Sequence, residues 1–316
     1  MKLVKSQKRE RKVEIIKTHI LEIEQYIVLA YLFCMLGIFP LHYKEQYSKI
    51  GAVKFELFWN VSLYFIGISL IFVLIKTILQ RMAYKAYSKS GIFVKEEKTK
   101  EEKQEKYLMK FVASLSSLDY AVFLYAICVL LSYAFSDFKD YAFKGAAGWE
   151  MGLCSQMIFI ALYFILSGRK QLFSTVQVGM SPKKYDNLAK FILGIHLAAS
   201  SLAFIFGILH RFEIDPLGMY EGLNLNQKIE FLSTIGQATW FSGYVCTVFA
   251  MGVILFYVSE KRWFRIVTGI YSVLSFGILV TQNSDSAFIA IAGIMLLMGY
   301  FSLSDMKKWC RFCQVS

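Results

Sequence analysis

The chain has 316 residues, of which 56% are hydrophobic, and its mean hydropathy is +0.48. Only 18% of the residues are charged, whereas about a quarter is usual in soluble globular domains. This composition excludes an ordinary soluble globule and predicts a membrane protein. The formal net charge of +12 is then expected on cytoplasmic loops. No basic surface interleaved with aromatic residues is found, so nucleic acid is not a predicted partner.

Eight apolar stretches approach the length of about 20 residues that a transmembrane helix needs. They are 24–41, 57–79, 112–135, 150–167, 187–209, 236–258, 264–282 and 287–303. The first stretch is predicted to be a retained helix, because no small-residue cleavage site follows it. The sequence therefore predicts an all-α polytopic membrane protein with about eight transmembrane helices.

Three regions follow from this prediction. They are a basic tail over 1–23, a transmembrane domain over 24–303 and a short tail over 304–316. Within the domain, the predicted loop 80–111 is rich in charge, and its segment KEEKTKEEKQEK is typical of a solvated helical extension or of a docking helix.

Lysine and arginine alternate between rich and poor loops along the chain. The N-terminal tail, the loop 80–111 and the loops after the fourth and sixth stretches are rich in them. The intervening loops are poorer, and the first of these holds Lys44, Lys49 and Lys54. This pattern predicts that both termini are cytoplasmic in a multi-pass protein of the cytoplasmic membrane. The segment 210–235 is then the longest outer loop.

Two adjacent residues at the start of this outer loop are candidates for chemistry. Arg211 could clamp a phosphate group with two parallel hydrogen bonds, or it could be an arginine that snorkels at a helix end. His210 is a weak candidate for a general base, and it could equally be an interfacial residue. His196 lies within the fifth stretch, where it is either functional or bonded to a neighbouring helix.

A polar run, TQNSDS, interrupts the apolar sequence between the last two stretches. Ser284 and Asp285 in this run are candidate substrate contacts, and Asp285 could also pair with Arg211. Asp285 could equally be an N-terminal cap of the following helix, because Asn283, Ser284 and Asp285 are all good cap residues.

The six cysteines form no extracellular disulfide framework, and the single CxxC at Cys310 and Cys313 cannot supply four zinc ligands. We predict no metal site and no cofactor.

Three ordered segments together resemble the O-antigen ligase and polymerase superfamily of bacterial envelope glycan assembly. The first is LLSYAFSDFKDYAFKGAAGWEMGL, which contains Gly145 and Gly148. The second is FLSTIGQATWFSGYV, in which Thr234, Gly236, Gly243 and Tyr244 match the family signature in register. The third is LVTQNSDSAFIAIAG, which resembles the segment that precedes an apolar helix in the family.

The resemblance implies a protein that transfers or polymerises glycan from an undecaprenyl-diphosphate carrier, without a cofactor. Its partners would be the lipid-linked oligosaccharide and membrane lipids, and Arg211, Ser284 and Asp285 would contact the carrier. Two departures matter: Asp285 stands at or next to a family arginine, and the family's catalytic histidine belongs to a later outer loop. The chain is therefore expected to correspond to the N-terminal portion of such a protein and to be inactive alone. The alternative is a non-catalytic scaffold or transporter component.

Overall fold

The computed structural model describes residues 2–89, 115–167, 182–282 and 285–303, together with 309, 310 and 313. The first α-helices are α1 (Lys2–Phe33), α2 (Phe39–Leu41), α3 (Ile50–Lys89), α4 (Ser117–Phe135), α5 (Lys139–Lys144) and α6 (Leu153–Leu166), and a π-helical segment, Cys34–Ile38, joins α1 to α2. They are followed by α7 (Pro182–Arg211), α8 (Leu225–Glu230), β1 (Phe231–Leu232), β2 (Gly236–Gln237), α9 (Ala238–Val258), α10 (Arg262–Gln282) and α11 (Asp285–Ser302).

Seven helices in the described part of the chain are long and apolar enough to cross a membrane. The candidate spans are Thr18–Leu41, Ile50–Leu79, Ser117–Phe135, Asp186–Arg211, Ala238–Val258, Arg262–Gln282 and Asp285–Ser302. Each overlaps one of the predicted stretches. The prediction of an all-α polytopic membrane protein is confirmed. The orientation of the termini stays a prediction.

The fourth predicted stretch, 150–167, differs from the others. It holds α6, which has only 14 residues and is therefore about 21 Å long at 1.5 Å per residue. The hydrocarbon core of a bilayer is about 30 Å thick. The helix starts late because Glu150 adopts a positive φ of 49°, which ends any regular helix at that point. Seven rather than eight long spans are thus found among the described residues.

Several predicted regions fall partly or wholly outside the described residues. Residues 90–111 of the predicted charged loop are outside them, and so are most of the tail 304–316 and Ser284. The first ten residues of the predicted loop, 80–89, belong to α3 and are helical.

The chain divides into two compact units. Unit 1 comprises Met1–Cys34 and Phe55–Ile192, and unit 2 comprises Met35–Lys54 and Leu193–Ser316. In unit 1, Tyr31 stacks on Phe65 with 4.2 Å between ring centroids. The carboxylate of Glu24 lies 2.5 Å from the ammonium of Lys76, and both side chains are largely buried. A buried ion pair of this kind joins the first two spans within the unit.

The core of unit 2 is formed mainly by α9 and α10. Phe241, Val245 and Leu279 are completely buried there. Small residues let these helices approach closely, as expected for helices in membranes. A Cβ atom at Gly252 would come within 2.8 Å of Ser272 and Tyr271, so the site accepts only glycine without movement of a neighbour.

Candidate functional site

The polar site in unit 2 is built on backbone carbonyls at the end of the first span. An α-helix pairs each carbonyl with the N–H four residues later, but Pro40 has no N–H to offer Leu36. The chain widens into the π-helical segment directly before Pro40. The freed carbonyl of Leu36 lies 2.9 Å from Nδ1 of His196, which therefore donates to it. Of the two interpretations of His196, the structure supports the bond to a neighbouring segment.

The next carbonyls are bound by Lys54. Its Nζ donates to the carbonyl oxygens of Phe39 at 2.8 Å, Pro40 at 3.3 Å and His42 at 2.9 Å. Lys54 belongs to α3 and is only 7% exposed. The interpretation of Lys54 as a loop lysine was therefore wrong. A buried cation on the last carbonyls of a helix is favoured by the negative end of the helix dipole.

A tight hairpin packs against the same carbonyls. Phe231 pairs with Gln237 and Leu232 pairs with Gly236 in an antiparallel register. Thr234 lies at the tip, where its Oγ1 donates to the carbonyl of Pro40 at 2.8 Å. Gly236 has a φ of +117°, a conformation that other residues rarely adopt. Thr234 and Gly236, which carry the family resemblance, thus have clear structural roles.

His210 is the centre of a buried hydrogen-bonded cluster at the end of α7. The backbone N–H of Ser233 donates to its Nδ1 at 3.1 Å, and the hydroxyl of Tyr47 lies 2.9 Å from the same atom. Because Nδ1 accepts a hydrogen bond from the N–H of Ser233, the proton of the neutral ring is on Nε2. Nε2 faces Oδ1 of Asp215 at 3.4 Å, and the imidazole is inaccessible to solvent. Both ring nitrogens are therefore directed at protein groups.

Tyr47 and Tyr220 close this cluster on the side of the loops. The hydroxyl of Tyr47 donates to the carbonyl of Ser233 at 2.5 Å, and that of Tyr220 donates to the carbonyl of Phe231 at 3.0 Å. Burial raises the pKa of Tyr47 well above its ordinary value. Burial and the nearby charge of Asp215 raise the pKa of Tyr220 to about 12. Both phenols thus remain proton donors at neutral pH.

Asp215 is held in its ionised form. Burial by itself would raise its pKa. Backbone N–H groups of Tyr220 and Met219 outweigh that effect, with a contribution from His210, and hold the pKa of Asp215 below its ordinary value. The N–H of Tyr220 donates to Oδ2 at 2.6 Å. Hydrogen bonds to a charged carboxylate are the ordinary cause of such a shift.

Arg211 directly follows His210 and is the last residue of α7. Its side chain is half-buried. Its Nε is buried and has no hydrogen-bond acceptor in the described part of the chain. No described carboxylate forms an ion pair with it, Asp285 included. Arg211 differs in this respect from His210 and Asp215, whose atoms without a hydrogen bond, Nε2 and Oδ1, face each other at 3.4 Å.

Asp285 is the first residue of α11 and is exposed. A carboxylate in this position is stabilised by the positive end of the helix dipole. Gly243 lies in α9 and lines a groove of about 360 Å³ against α11. The neighbouring Tyr244 packs edge-on against His196, with 6.4 Å between ring centroids.

Gly145 and Gly148 belong to unit 1. Gly145 has a φ of +97°, and a Cβ there would lie 2.4 Å from the backbone nitrogen of Met151. Gly148 has a φ of +85° with open space around it. The first glycine thus permits both a close backbone approach and a turn, and the second permits a turn.

Sequence reasoning found His210, Arg211 and Thr234 but missed their supporting residues Tyr47 and Ser233. Tyr47 is 163 positions away from His210 in the sequence, and no motif links them. Lys54 carried a usable signal, since a lysine so close to an apolar run is either in a loop or buried with partners.

No protein-family model matches the chain, and no curated protein or solved structure is significantly similar to it.

Proposed function

We propose that this chain binds an undecaprenyl-diphosphate-linked glycan in the manner of an O-antigen ligase-like membrane protein, with Arg211 as the diphosphate contact. The observation that carries the proposal is the guanidinium of Arg211, whose buried Nε lacks an acceptor among the described residues. A buried polar group without a partner is costly. An anionic ligand would remove that cost, and arginine is well suited to a diphosphate because it makes two parallel hydrogen bonds.

The surroundings of Arg211 support this role. The adjacent His210 is locked by Tyr47, Ser233 and Asp215, so the end of α7 is held rigidly. Precise positioning of a binding group requires such support from its neighbours. The residues of the family-like segment, Thr234 and Gly236, build the hairpin that supplies it.

Asp285 and Ser284 stay in the proposal as secondary carrier contacts. The exposed position of Asp285 at the start of α11 leaves its carboxylate free for a sugar hydroxyl. Both residues would act on the glycan rather than on the diphosphate, because a carboxylate repels an anion.

A second candidate function is a non-catalytic carrier-binding scaffold. The specific observation that favours it concerns His210. A general base must lie within about 2.6–3.2 Å of the proton that it removes, or reach it through one water. Both nitrogens of His210 already face protein groups, and its ring is inaccessible. Binding without transfer is thus the outcome that we expect for this chain.

The test is equilibrium binding in lipid nanodiscs. Undecaprenyl diphosphate is titrated against the wild-type chain and against Arg211→Gln, with undecaprenol as the ligand that lacks phosphate. Charge-assisted hydrogen bonds contribute about 1.5–3 kcal/mol, so Arg211→Gln is expected to weaken diphosphate binding by roughly ten- to a hundredfold. The matched control is Arg262→Gln, at the start of α10, which is expected to bind as the wild type does. Equal affinity for the alcohol and the diphosphate would contradict the proposal.

A transfer assay then separates the two candidate functions. The purified chain receives a glycan on undecaprenyl diphosphate and a hydroxyl acceptor, and we expect no product. Turnover that His210→Ala abolishes would overturn the scaffold function and make His210 the base.

A further inference from the structure

Unit 1 contains a cavity that has no part in the cluster around His210. Its volume is about 490 Å³, and it lies between α4, α5, the segment 145–152 and the start of α6. Small-molecule sites generally occupy about 300–1,000 Å³. The cavity is thus large enough to be a binding site for a small molecule.

The walls of this cavity are rich in aromatic rings. Tyr125, Tyr133, Tyr141 and Trp149 all line it. Trp149 is 59% exposed and Tyr141 is 68% exposed, so their rings are accessible to a ligand. The face of an aromatic ring is electron-rich and attracts the slightly positive C–H groups of a ligand.

Polar groups lie beside these rings. Oε1 of Gln156 accepts a hydrogen bond from the hydroxyl of Tyr125 at 2.5 Å, and its Nε2 donates to the carbonyl of Met151 at 3.2 Å. An amide nitrogen carries two hydrogens, so the second remains for a ligand. The hydroxyl of Ser132 lines the same cavity.

None of the residues that line the cavity is charged. A phosphate or carboxylate ligand would find no countercharge there and would lose its hydration without compensation. The lining therefore favours an uncharged ligand that has an apolar face and several hydroxyl groups at its edge. A sugar ring in the pyranose form has this chemistry, with C–H groups on its faces and hydroxyls around its rim.

The segment that carries Trp149 is fixed by its glycines. A Cβ at Gly152 would lie 2.5 Å from the backbone of Gly145 and Lys144, so the two ends of the segment touch. The N–H of Gly152 donates to the carbonyl of Lys144 at 3.2 Å, and that of Trp149 donates to the carbonyl of Ala146 at 3.0 Å. Such a preformed platform lowers the entropy lost when a ligand binds.

We propose that this cavity binds an uncharged sugar ring, which packs on Trp149 and hydrogen-bonds to Gln156. The inference goes beyond carrier binding at Arg211 and does not depend on it, because it rests on the cavity of unit 1 alone. A chain that failed to bind undecaprenyl diphosphate would still be expected to bind a sugar here.

The test is saturation-transfer NMR on the full chain in lipid nanodiscs, prepared without glycoside detergents because these would occupy the cavity. The probes are methyl α-D-glucopyranoside, methyl α-D-galactopyranoside, methyl α-D-mannopyranoside and N-acetyl-D-glucosamine, with glucose 6-phosphate as the charged comparison. At least one neutral probe is expected to bind, and glucose 6-phosphate is expected to bind more weakly.

Variants locate the binding in the cavity. Trp149→Ala and Gln156→Ala are each expected to weaken binding by about fivefold, since a ring contact or a hydrogen bond contributes around 1 kcal/mol. Trp149→Phe keeps an aromatic face and is expected to retain most of the affinity. Trp263→Ala, at an exposed tryptophan of unit 2, is the control and is expected to bind normally.

Two results would overturn the proposal. One is the absence of binding by every neutral probe, which would leave a lipid chain as the occupant. The other is binding that Trp149→Ala and Gln156→Ala leave unchanged. Size-exclusion profiles and thermal unfolding of each variant show whether it is folded, and Trp149→Phe gives a readout even if Trp149→Ala is not.

Discussion

Two buried lysines show different ways of keeping a positive charge inside this protein. In unit 2, Lys54 donates to three backbone carbonyls at the end of the first span. In unit 1, Lys76 pairs with the carboxylate of Glu24 at 2.5 Å. The partners of Lys54 cannot be removed by mutation, because they belong to the main chain. The partner of Lys76 is a side chain, and the pair can be removed as a whole.

The two lysines therefore differ in whether apolar residues can replace the buried charge. A buried ion pair is often replaceable by apolar residues at little cost, whereas loss of one partner is expensive. Backbone carbonyls in a membrane must always be satisfied. We therefore expect a second substitution to restore the stability lost on mutation of Lys76, but not the stability lost on mutation of Lys54.

The largest effect is expected for Lys76→Met. It leaves the carboxylate of Glu24 buried without a partner, which costs about 3–5 kcal/mol. The double variant Glu24→Gln, Lys76→Met removes both charges and is expected to recover most of the stability. Unfolding in mixed micelles measures both free energies. A double variant as unstable as Lys76→Met would contradict the claim that this ion pair, unlike the backbone partners of Lys54, can be replaced as a whole.

Lys54→Met is expected to cost about 3 kcal/mol, since it removes the ammonium that donates to the carbonyls of Phe39, Pro40 and His42, and a hydrogen bond to a charged group contributes roughly 1.5–3 kcal/mol. The carbonyl of Phe39 keeps the N–H of His42 at 3.3 Å. The carbonyl of Pro40 keeps Thr234. The control is the double variant Lys54→Met, Glu45→Gln, which also changes an exposed acidic residue of the adjacent loop. This second substitution is not expected to restore stability. Recovery in that double variant would show that Lys54 depends on an acidic side chain after all.

His210→Ala is an intermediate case, because His210 has both backbone and side-chain partners. It leaves the N–H of Ser233 unpaired and creates a cavity beside Tyr47, with an expected cost of about 2–3 kcal/mol. His19→Ala, at an exposed histidine of α1, should change the free energy of unfolding by less than about 0.5 kcal/mol. Equal thermal shifts for the two variants would contradict the structural role of His210.

The smallest effect is expected for Asp215→Asn, and it depends on pH. The pKa of Asp215 is lower in the folded protein than the value of about 3.9 in an unfolded chain. Its stabilising contribution is therefore complete above the unfolded pKa and is lost as pH falls through the folded one. The stability difference between wild type and Asp215→Asn should shrink between about pH 5 and pH 2. A difference that grew on acidification would reverse the sign of the shift.

The spans were predictable because length and apolarity determine them almost alone. The stretch 150–167 passed the same test, yet α6 begins only at Leu153. Backbone contact between Gly145 and Gly152, together with the positive φ of Glu150, sets that start. Such a constraint arises from backbone contacts within a folded loop. Hydropathy depends only on residue types and therefore cannot predict it.

The candidate site was predictable in part, for a physical reason. His210 and Arg211 stand out because charged residues are rare near apolar runs. Tyr47 and Ser233 were not found, because a tyrosine or a serine near a membrane surface is ordinary. Their importance comes from contacts that join positions 163 and 23 residues away from His210.

The most direct test of diphosphate binding by Arg211 is a distance measured by solid-state NMR. The chain, with nitrogen-labelled arginine side chains, is placed in nanodiscs with undecaprenyl diphosphate. A paired guanidinium makes N–H···O contacts of about 2.7–2.9 Å to the phosphate oxygens, which gives a strong coupling between nitrogen and phosphorus. We expect that coupling in the wild type and in Arg262→Lys, and its loss in Arg211→Lys. A coupling that persists in Arg211→Lys, or its absence from the wild type, would contradict the proposed function.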